Sequence, residues 1–172
     1  MAKLWRCIVC GDPYIGSNPP DNCPFCGAHL KYIQDAKTAE VSFDVELTET
    51  DRVNAQRALE VEVSNSTFYF QAAERTDHAE GRLLFKALGK VEKEHASIWK
   101  KVLKLDSIPP GSETCSEDYK ANLQESHERE SRAIAFYRQA AEGSGSERIK
   151  ELFGALVEIE TDHLDMSAER LA

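Results

Sequence analysis

Two cysteine pairs near the start of the chain have the spacing of metal ligands. Two residues separate Cys7 from Cys10 and Cys23 from Cys26, and a glycine follows each pair. Two thiolates at this spacing reach one ion, and the glycine permits the tight turn that brings them there. Four thiolates suit both iron and zinc. The sequence therefore predicts a four-cysteine site, which passes an electron if it holds iron and is structural if it holds zinc.

A second set of metal ligands is repeated in the longer part of the chain. When the sequence is shifted by 68 residues, Glu62 falls on Glu130. The same shift places the Glu-x-x-His motif of residues 92–95 on that of residues 160–163. Residues three apart lie on one helix face, so the two side chains of a motif reach one site. Single glutamates from two helices and Glu-x-x-His from two others form the ligand pattern of ferritin-like di-iron and di-manganese bundles. The predicted ligands are Glu62, Glu92, His95, Glu130, Glu160 and His163.

Other glutamates repeat in the same register, and their helical neighbours separate them from the predicted ligands. Glu62 has Tyr69 and Ala73 along its face, which is a set of neighbours typical of an inward-facing position. Glu60 and Glu128 have mostly polar and charged neighbours instead. We therefore expect these two glutamates to face water.

Four long helices are predicted to carry the second ligand set. Apolar residues recur at i, i+3, i+4 and i+7 from about residue 49 onward. Thr48 and Ser116 are predicted N-caps of the first and third helices. The connection at residues 106–114 is long enough to cross a bundle, whereas residues 143–146 form a short turn between antiparallel neighbours. The predicted helices span about 49–76, 79–105, 116–142 and 146–171.

The chain is predicted to have two domains and a linker. Residues 1–36 hold four of the five cysteines and four of the six prolines. A segment this short cannot bury a core of its own, so a metal usually stabilises it. Residues 37–48 are the predicted linker, and residues 49–172 are the predicted bundle.

The overall composition argues against several kinds of partner. The chain has 172 residues and a formal net charge of −9. An acidic surface repels nucleic acid and anionic lipid, so we expect no nucleic acid and no membrane as partners. No apolar run approaches the roughly 20 residues that span a bilayer, and the N-terminus lacks the apolar core of a signal peptide. The expected location is cytoplasmic, where reduced thiols bind metals rather than form disulfides.

Two cysteine knuckles followed by the repeated helical ligand set resemble the rubrerythrin family. The resemblance covers nearly all of the chain, with the rubredoxin-like part first, as in reverse rubrerythrins. It implies a mainly α fold: a ferritin-like four-helix bundle preceded by a small rubredoxin-like domain. It also implies iron in the four-cysteine site, with zinc as the alternative. In the bundle it implies a di-iron site, with manganese or mixed metal as alternatives.

The resemblance further implies an activity and partners. Family members reduce hydrogen peroxide to water, with electrons that an electron-donating reductase or redox protein supplies and the cysteine-bound iron relays. They form homodimers or larger assemblies, in which one subunit's cysteine-bound iron lies near its partner's di-iron site. Two other functions stay open. The same ligands suit a ferroxidase or a dioxygen-reducing di-iron protein, and a zinc-containing four-cysteine site suits a non-enzymatic metal-binding or peroxide-sensing module.

The resemblance assigns catalytic roles to the six bundle ligands and supporting roles to two tyrosines, and at one further position the sequence departs from the family. Tyr69 and Tyr137 match tyrosines that hydrogen-bond to ligating carboxylates. Family members carry an additional glutamate three residues before the third-helix ligand, and His127 occupies that position here. Its repeat partner is Leu59, so we expect the position to face inward. His127 is then a ligand, a proton donor to peroxide, a hydrogen-bond partner of a ligand, or an inward histidine without a catalytic role.

Other residues of reactive types are not assigned a chemical role. Cys115 stands alone in the predicted crossover connection. His29 and His78 fall at predicted loop or helix-end positions, so we expect them at the surface. Trp99 lies one turn beyond a predicted ligand, and its large apolar ring favours core packing.

Overall fold

The computed structural model describes every residue from Met1 to Ala172, and its elements run as three short strands followed by four long helices. The strands form one antiparallel sheet with β1 at its centre; they are β1 (Lys3–Cys7), β2 (Pro13–Gly16) and β3 (Ile33–Asp35). The helices are α1 (Glu49–Arg75), α2 (Ala79–Val102), α3 (Tyr119–Gly143) and α4 (Glu147–Leu171). The predicted fold class, a four-helix bundle preceded by a rubredoxin-like domain, is confirmed. None of the helices combines the length and apolarity needed to cross a membrane.

The two cysteine knuckles share one local geometry. Gly11 has a φ of 89° and Gly27 a φ of 80°, a conformation that a residue with a Cβ adopts only at a cost. The N–H of Gly11 donates to the carbonyl of Cys7 at 2.9 Å, and the N–H of Gly27 donates to the carbonyl of Cys23 at 2.9 Å. This turn directs both thiols of each pair to the same side.

Of the two predicted N-caps, that of α1 is confirmed and that of α3 is wrong. Thr48 caps α1, and together with Asp51 it forms a reciprocal capping box. The cap of α3 is Asp118 rather than Ser116, because the Asp118 carboxylate accepts from the N–H of Ala121 at 2.7 Å. The backbone of Ser116 is instead bonded to the side chain of Asn122 through two hydrogen bonds of 3.0 Å, so it cannot enter the helix.

The second helix ends three residues earlier than predicted. Lys104 has a φ of 56°, in the left-handed region. The N–H of Leu105 then reaches back to the carbonyl of Lys100 at 3.0 Å, which is the hydrogen bond of a Schellman ending. Because the residue in the left-handed conformation is a lysine and not a glycine, the sequence gives no signal that the helix ends here.

The bundle consists of two helix pairs that correspond under the repeat. α1 packs along α2, and α3 packs along α4. Trp99 is fully buried, with its ring centroid 4.4 Å from that of Phe153, so its predicted place in the core is confirmed. Arg129 of α3 holds the connection from α2 to α3 in place. It donates to Glu113 of this connection at 3.0 Å, and its guanidinium lies 4.5 Å from the ring centroid of Phe68.

The N-terminal domain packs directly on α2 and α4 of its own chain. Its four paired cysteines belong to the same buried cluster as Trp99 and Ile159. Lys101 donates to the carbonyl of Cys10 at 2.9 Å, and Arg148 donates to the carbonyl of Ile8 at 2.5 Å. The knuckles therefore face the bundle, whereas the predicted boundaries at residues 36 and 48 stay predictions.

Candidate metal centres

The four cysteine thiols of the N-terminal domain converge on one point. The sulfurs of Cys7, Cys10, Cys23 and Cys26 all lie within 4.8 Å of one another, and all four residues are buried. Cys7 and Cys26 are 3.7 Å apart at sulfur, and Cys10 and Cys23 are 3.8 Å apart. A tetrahedron with metal–sulfur bonds of about 2.3 Å has edges of about 3.8 Å. The spacing thus fits a single iron or zinc ion.

The protonation of these thiols also favours a bound cation. Hydrogen bonds with the other three thiols, together with burial, raise the pKa of Cys10. Hydrogen bonds from the same group lower the pKa of Cys23, which acts as the acceptor. The crowded thiols thus share protons that a metal ion would displace, because thiolates are the ligating form.

The six predicted ligands in the bundle come together as two overlapping groups. Glu62 and His95 lie with Glu92 and Glu160 within 4.8 Å, measured between ligand atoms. Glu92 and Glu160 also belong to the second group. That group's other members are Glu130 and His163. Each ligand is at most 5% exposed. Two carboxylates shared between two groups is the arrangement expected of a site with two bridged cations.

The polar atoms of this cluster are close together but are not satisfied by hydrogen bonds. The Nδ1 atom of His95 lies 3.1 Å from a carboxylate oxygen of Glu160, and that of His163 lies 3.0 Å from one of Glu92. Even so, several buried atoms of the cluster have no hydrogen-bond partner. They are Nδ1 of His95, both carboxylate oxygens of Glu92, and one carboxylate oxygen each of Glu62, Glu130 and Glu160. Each such atom costs about 1–3 kcal/mol if nothing binds it. Carboxylate oxygens and imidazole nitrogens fit iron or manganese, so the donor set suits a two-metal site.

The pKa shifts of the carboxylates and histidines in the cluster also favour bound cations. Burial raises the pKa of Glu62 and of Glu130 well above its usual value. Burial alone lowers the pKa of His95, but the carboxylates of Glu62 and Glu160 outweigh it, and the pKa is raised. The four carboxylates carry the charge that two divalent cations neutralise. Bound cations would therefore displace the protons that the cluster otherwise holds.

The two tyrosines cross between the repeated halves. The hydroxyl of Tyr137 donates to Glu62 at 2.5 Å, and that of Tyr69 donates to Glu130. Burial and the adjacent carboxylate raise the pKa of each phenol well above its usual value, so both stay protonated donors. Each tyrosine orients a glutamate of the other half, which is the contact that the resemblance implied.

His127 lies outside both groups of converging ligands. Its ring is half-buried, and Nδ1 lies 3.3 Å from the hydroxyl of Ser167, one turn beyond His163 on α4. The repeat partner Leu59 is 5% exposed. Of the roles predicted for His127, metal ligation is the one that the geometry supports least, because a hydroxyl of α4 holds the ring instead.

One contact of the site could not be foreseen from the sequence. The Nε2–H of His95 donates to the backbone carbonyl of Cys26 at 2.8 Å. This bond uses the Nε2 proton, so Nδ1 is the nitrogen that faces the carboxylates, where a bound metal would displace its proton. A ligand of the four-cysteine site is thereby joined to a predicted ligand of the bundle site. A backbone carbonyl has no signature in the sequence, and the two residues are 69 positions apart.

The residues without an assigned role lie apart from these centres. His29 pairs with Asp162 at 2.7 Å on the surface. His78 caps α2 by accepting from the N–H of Gly81 at 3.1 Å, and its ring stacks on that of Tyr119. Cys115 is half-buried and forms no disulfide.

Comparison with known protein families identifies the N-terminal domain. Residues 5–33 match the family model described as the rubrerythrin, rubredoxin-like domain. No curated protein and no solved structure matches the chain. The chain therefore has a rubredoxin-like domain with a four-cysteine site, similar to that of rubrerythrins, followed by a four-helix bundle with a buried cluster suited to two metals.

Proposed function

We propose that this protein is a non-haem di-iron peroxidase of the reverse rubrerythrin type. It reduces one hydrogen peroxide to two waters with two electrons and two protons. The electrons come from a reductase or a small redox protein and pass through iron in the four-cysteine site. The observation that carries the proposal is the hydrogen bond between His95 and the carbonyl of Cys26, at 2.8 Å.

This hydrogen bond supports a redox role because it joins the two candidate centres by a short, dry path. The path runs from the Cys26 sulfur along its own backbone to the carbonyl, and then through the imidazole of His95. Both residues are fully buried. A peroxidase must draw electrons from a donor, and such a path supplies them. A ferroxidase takes its electrons from the iron that it oxidises, so it has no need of a second centre.

The residues of the bundle would hold and protect the reactive site. Bound iron would supply the redox chemistry, and it would be held by Glu62, Glu92, His95, Glu130, Glu160 and His163. Tyr69 holds Glu130 in place, and Tyr137 holds Glu62. The burial of all six ligands excludes bulk water, which strengthens their interaction with cations.

We propose that the relay runs within one chain, and the homodimer stays a separate proposal. The resemblance implied that the cysteine-bound iron of one subunit serves its partner's bundle. Here the N-terminal domain contacts the bundle of its own chain through Cys26 and His95. A single chain thus contains both centres and the path between them.

The function is tested by the colour of the four-cysteine site. Oxidised iron bound by four cysteines is red, and dithionite should bleach it. Two equivalents of hydrogen peroxide per chain, enough to reoxidise all three irons, should restore the colour much faster than dissolved oxygen does. A matched control is Glu62→Ala, which keeps the four-cysteine site but should lose rapid recovery. A colourless protein with one zinc per chain would refute the relay, and equal recovery with oxygen would indicate a dioxygen reductase.

A further inference from the structure

A small cavity opens between α1 and α3, the helices that carry the single glutamates of the bundle site. Its volume is about 220 Å³. Most of its wall comes from two sets of three residues: Val61, Ser64 and Asn65 on α1, and Arg129, Arg132 and Ala133 on α3.

The cavity and the bundle site share one pseudo-two-fold axis. The 68-residue shift pairs Val61 with Arg129 and Asn65 with Ala133 across the cavity. The same shift pairs Glu62 with Glu130 in the site. Because these pairs are adjacent in sequence on the same two helices, the cavity lies over the midpoint of the site. None of the six ligands lines the cavity, so its relation to the site rests on this shared axis.

Asn65, one of the residues that line this cavity, has a buried amide donor that the protein does not use. The residue is 3% exposed, and it lies three residues after Glu62 and four before Tyr69. Its Oδ1 accepts from Arg129 at 3.3 Å, whereas its Nδ2 is buried without any hydrogen-bond partner. Arginine can only donate, so this contact fixes which end of the amide is the oxygen. The NH2 group therefore points away from Arg129 and needs an acceptor.

A cavity on another side of the bundle lacks such a donor. It lies near Pro109, and its wall also includes neighbours of the ligands. There the hydroxyl of Ser66 already donates to Gly89, and that of Thr67 donates to Val63. The unpaired amide thus distinguishes the cavity at Asn65.

The charges around this cavity favour an uncharged or anionic molecule over a metal cation. Arg57, Arg129 and Arg132 all contribute to the wall. Arg57 lies 4.3 Å from the ring centroid of Phe136 and forms no ion pair. Arg129 pairs with Glu113 at 3.0 Å, and Arg132 pairs with Glu125 at 3.5 Å. The guanidinium of Arg57 has no such partner, so it repels a divalent cation but admits a small neutral oxidant.

We propose that this cavity is the entry and binding site of the peroxide, and that Asn65 holds it by donating a hydrogen bond from Nδ2 to a peroxide oxygen. The proposal rests on the proposed peroxidase function and adds a positioning residue to it. The acceptor that Nδ2 lacks in the protein is then the substrate itself.

The test compares wild type with Asn65→Leu, which keeps the volume but removes the donor, and with Asn65→Ala. The first readout is the affinity of the oxidised, metal-loaded protein for azide, followed by absorption; the second is the split between KM and kcat for hydrogen peroxide. One lost hydrogen bond weakens binding by about 3- to 10-fold. We expect azide Kd and peroxide KM to rise by that factor, while kcat and iron content stay near the wild-type values.

The repeat provides a rescue variant that a structural role would not pass. In Asn65→Ala combined with Ala133→Asn, the amide moves to the matching position across the same cavity. Azide affinity and KM should recover substantially. An asparagine at position 133 would lie one turn beyond Arg129 on α3 and could bond to it, so the exchange is also made in an Arg129→Leu background. If Asn65 served only to hold Arg129, neither Asn65→Ala nor the exchange would change azide affinity or KM in that background. Thr67→Val, in the other cavity, is the control and should change neither value.

The outcomes separate this proposal from the proposed function. Wild-type azide affinity and KM in both single variants would overturn the role of Asn65, even if peroxide turnover is rapid. Failure of the double variant to recover would also overturn it. If wild type did not reduce peroxide but azide binding still depended on Asn65, the function would fail and the binding site would stand.

Discussion

The two halves of the bundle supply the same ligands but differ in what surrounds them. In the first half, His95 is fully buried and donates to Cys26 of the N-terminal domain. In the second half, His163 is 5% exposed and has no bond to that domain. Leu59 of the first half corresponds to His127 of the second, which is bonded to a serine of α4.

The repeat thus preserves the metal ligands, whereas the residues around these ligands differ between the two halves. A symmetric set of ligands balances the charge of two cations and needs no difference between the halves. Electron supply breaks this symmetry, because only the first half is bonded to the domain that carries the four cysteines. The first half carries the contact to the four-cysteine site, and each position where the halves differ is a place to test this division.

The largest effect is expected from removing the single glutamate that α1 or α3 contributes to the bundle site. Glu62→Ala and Glu130→Ala each leave the facing tyrosine unpaired and remove one ligand from one of the two groups. Both variants should lose bundle metal and slow peroxide reduction by about 100-fold or more. Metal analysis per chain and stopped-flow recovery of the red colour measure the two effects.

The control for these variants is the exposed repeat glutamate. Glu60 lies two residues from Glu62 but faces solvent. Glu60→Ala should retain the wild-type metal content and rate. If Glu62→Ala kept both metals while Glu130→Ala lost them, the halves would differ at the ligands themselves and the comparison would be wrong.

A second, smaller effect is expected at the contact that only the first half makes. In Gly27→Ala, the added Cβ would lie 3.0 Å from Ile159 on α4, at a φ of 80°. A non-glycine residue in this region costs roughly 1–2 kcal/mol, so the equilibrium constant for keeping the contact falls about tenfold. Recovery of the red colour by peroxide should slow by up to that factor, while direct oxidation of the bundle metals by peroxide should not.

The other knuckle provides a matched control for this variant. Gly11 has a φ of 89°, and its added Cβ would meet Phe43 rather than a helix of the bundle. Gly11→Ala introduces the same strain away from Cys26 and should slow the recovery less. Equal slowing in both variants would mean that strain within the N-terminal domain, and not its contact with His95, limits electron transfer.

The ligands could be predicted from the sequence because each depends on local spacing. A Cys-x-x-Cys turn and a Glu-x-x-His helix face are set within one turn of chain, and the repeat identifies which glutamates belong to the site. Thr48 was found as a cap for the same reason, since its partner Asp51 is three residues away.

The contacts between distant segments could not be predicted in this way. The bond from His95 to Cys26 involves a backbone carbonyl, and the partner of His127 is 40 positions away on α4. The end of α2 was misjudged because Lys104 takes the left-handed conformation without a glycine. These features follow from packing rather than from local spacing.

A third effect, of about 3- to 5-fold, is expected from making the second half resemble the first at one position. His127→Leu places the residue of the first half, Leu59, at its repeat partner. Metal content should be retained, because the ring lies outside both ligand groups. The rate of oxidation by peroxide should fall, since a polar group near the site is lost. An unchanged rate would show that His127 only pairs with Ser167.

The smallest effect concerns a contact that joins the two halves. The buried Asp51 carboxylate accepts from the hydroxyl of Ser144, in the turn between α3 and α4, at 2.6 Å. Burial opposes ionisation, but the hydrogen bonds from Ser144 and Thr48 outweigh it and lower the pKa of Asp51 below its usual value of 3.8. Asp51→Ala should reduce the free energy of unfolding by about 1–2 kcal/mol at neutral pH, as measured with denaturant.

The pH dependence of this difference identifies the carboxylate as its cause. Because the folded pKa is the lower one, the stabilisation by ionised Asp51 is fully present above the unfolded pKa and is lost as the pH falls through the folded value. The difference between wild type and Asp51→Ala should therefore be constant near neutral pH and shrink below pH 3.8. A difference that stayed constant in acid would mean that packing of the side chain, and not its charge, joins the α1 terminus to the second half.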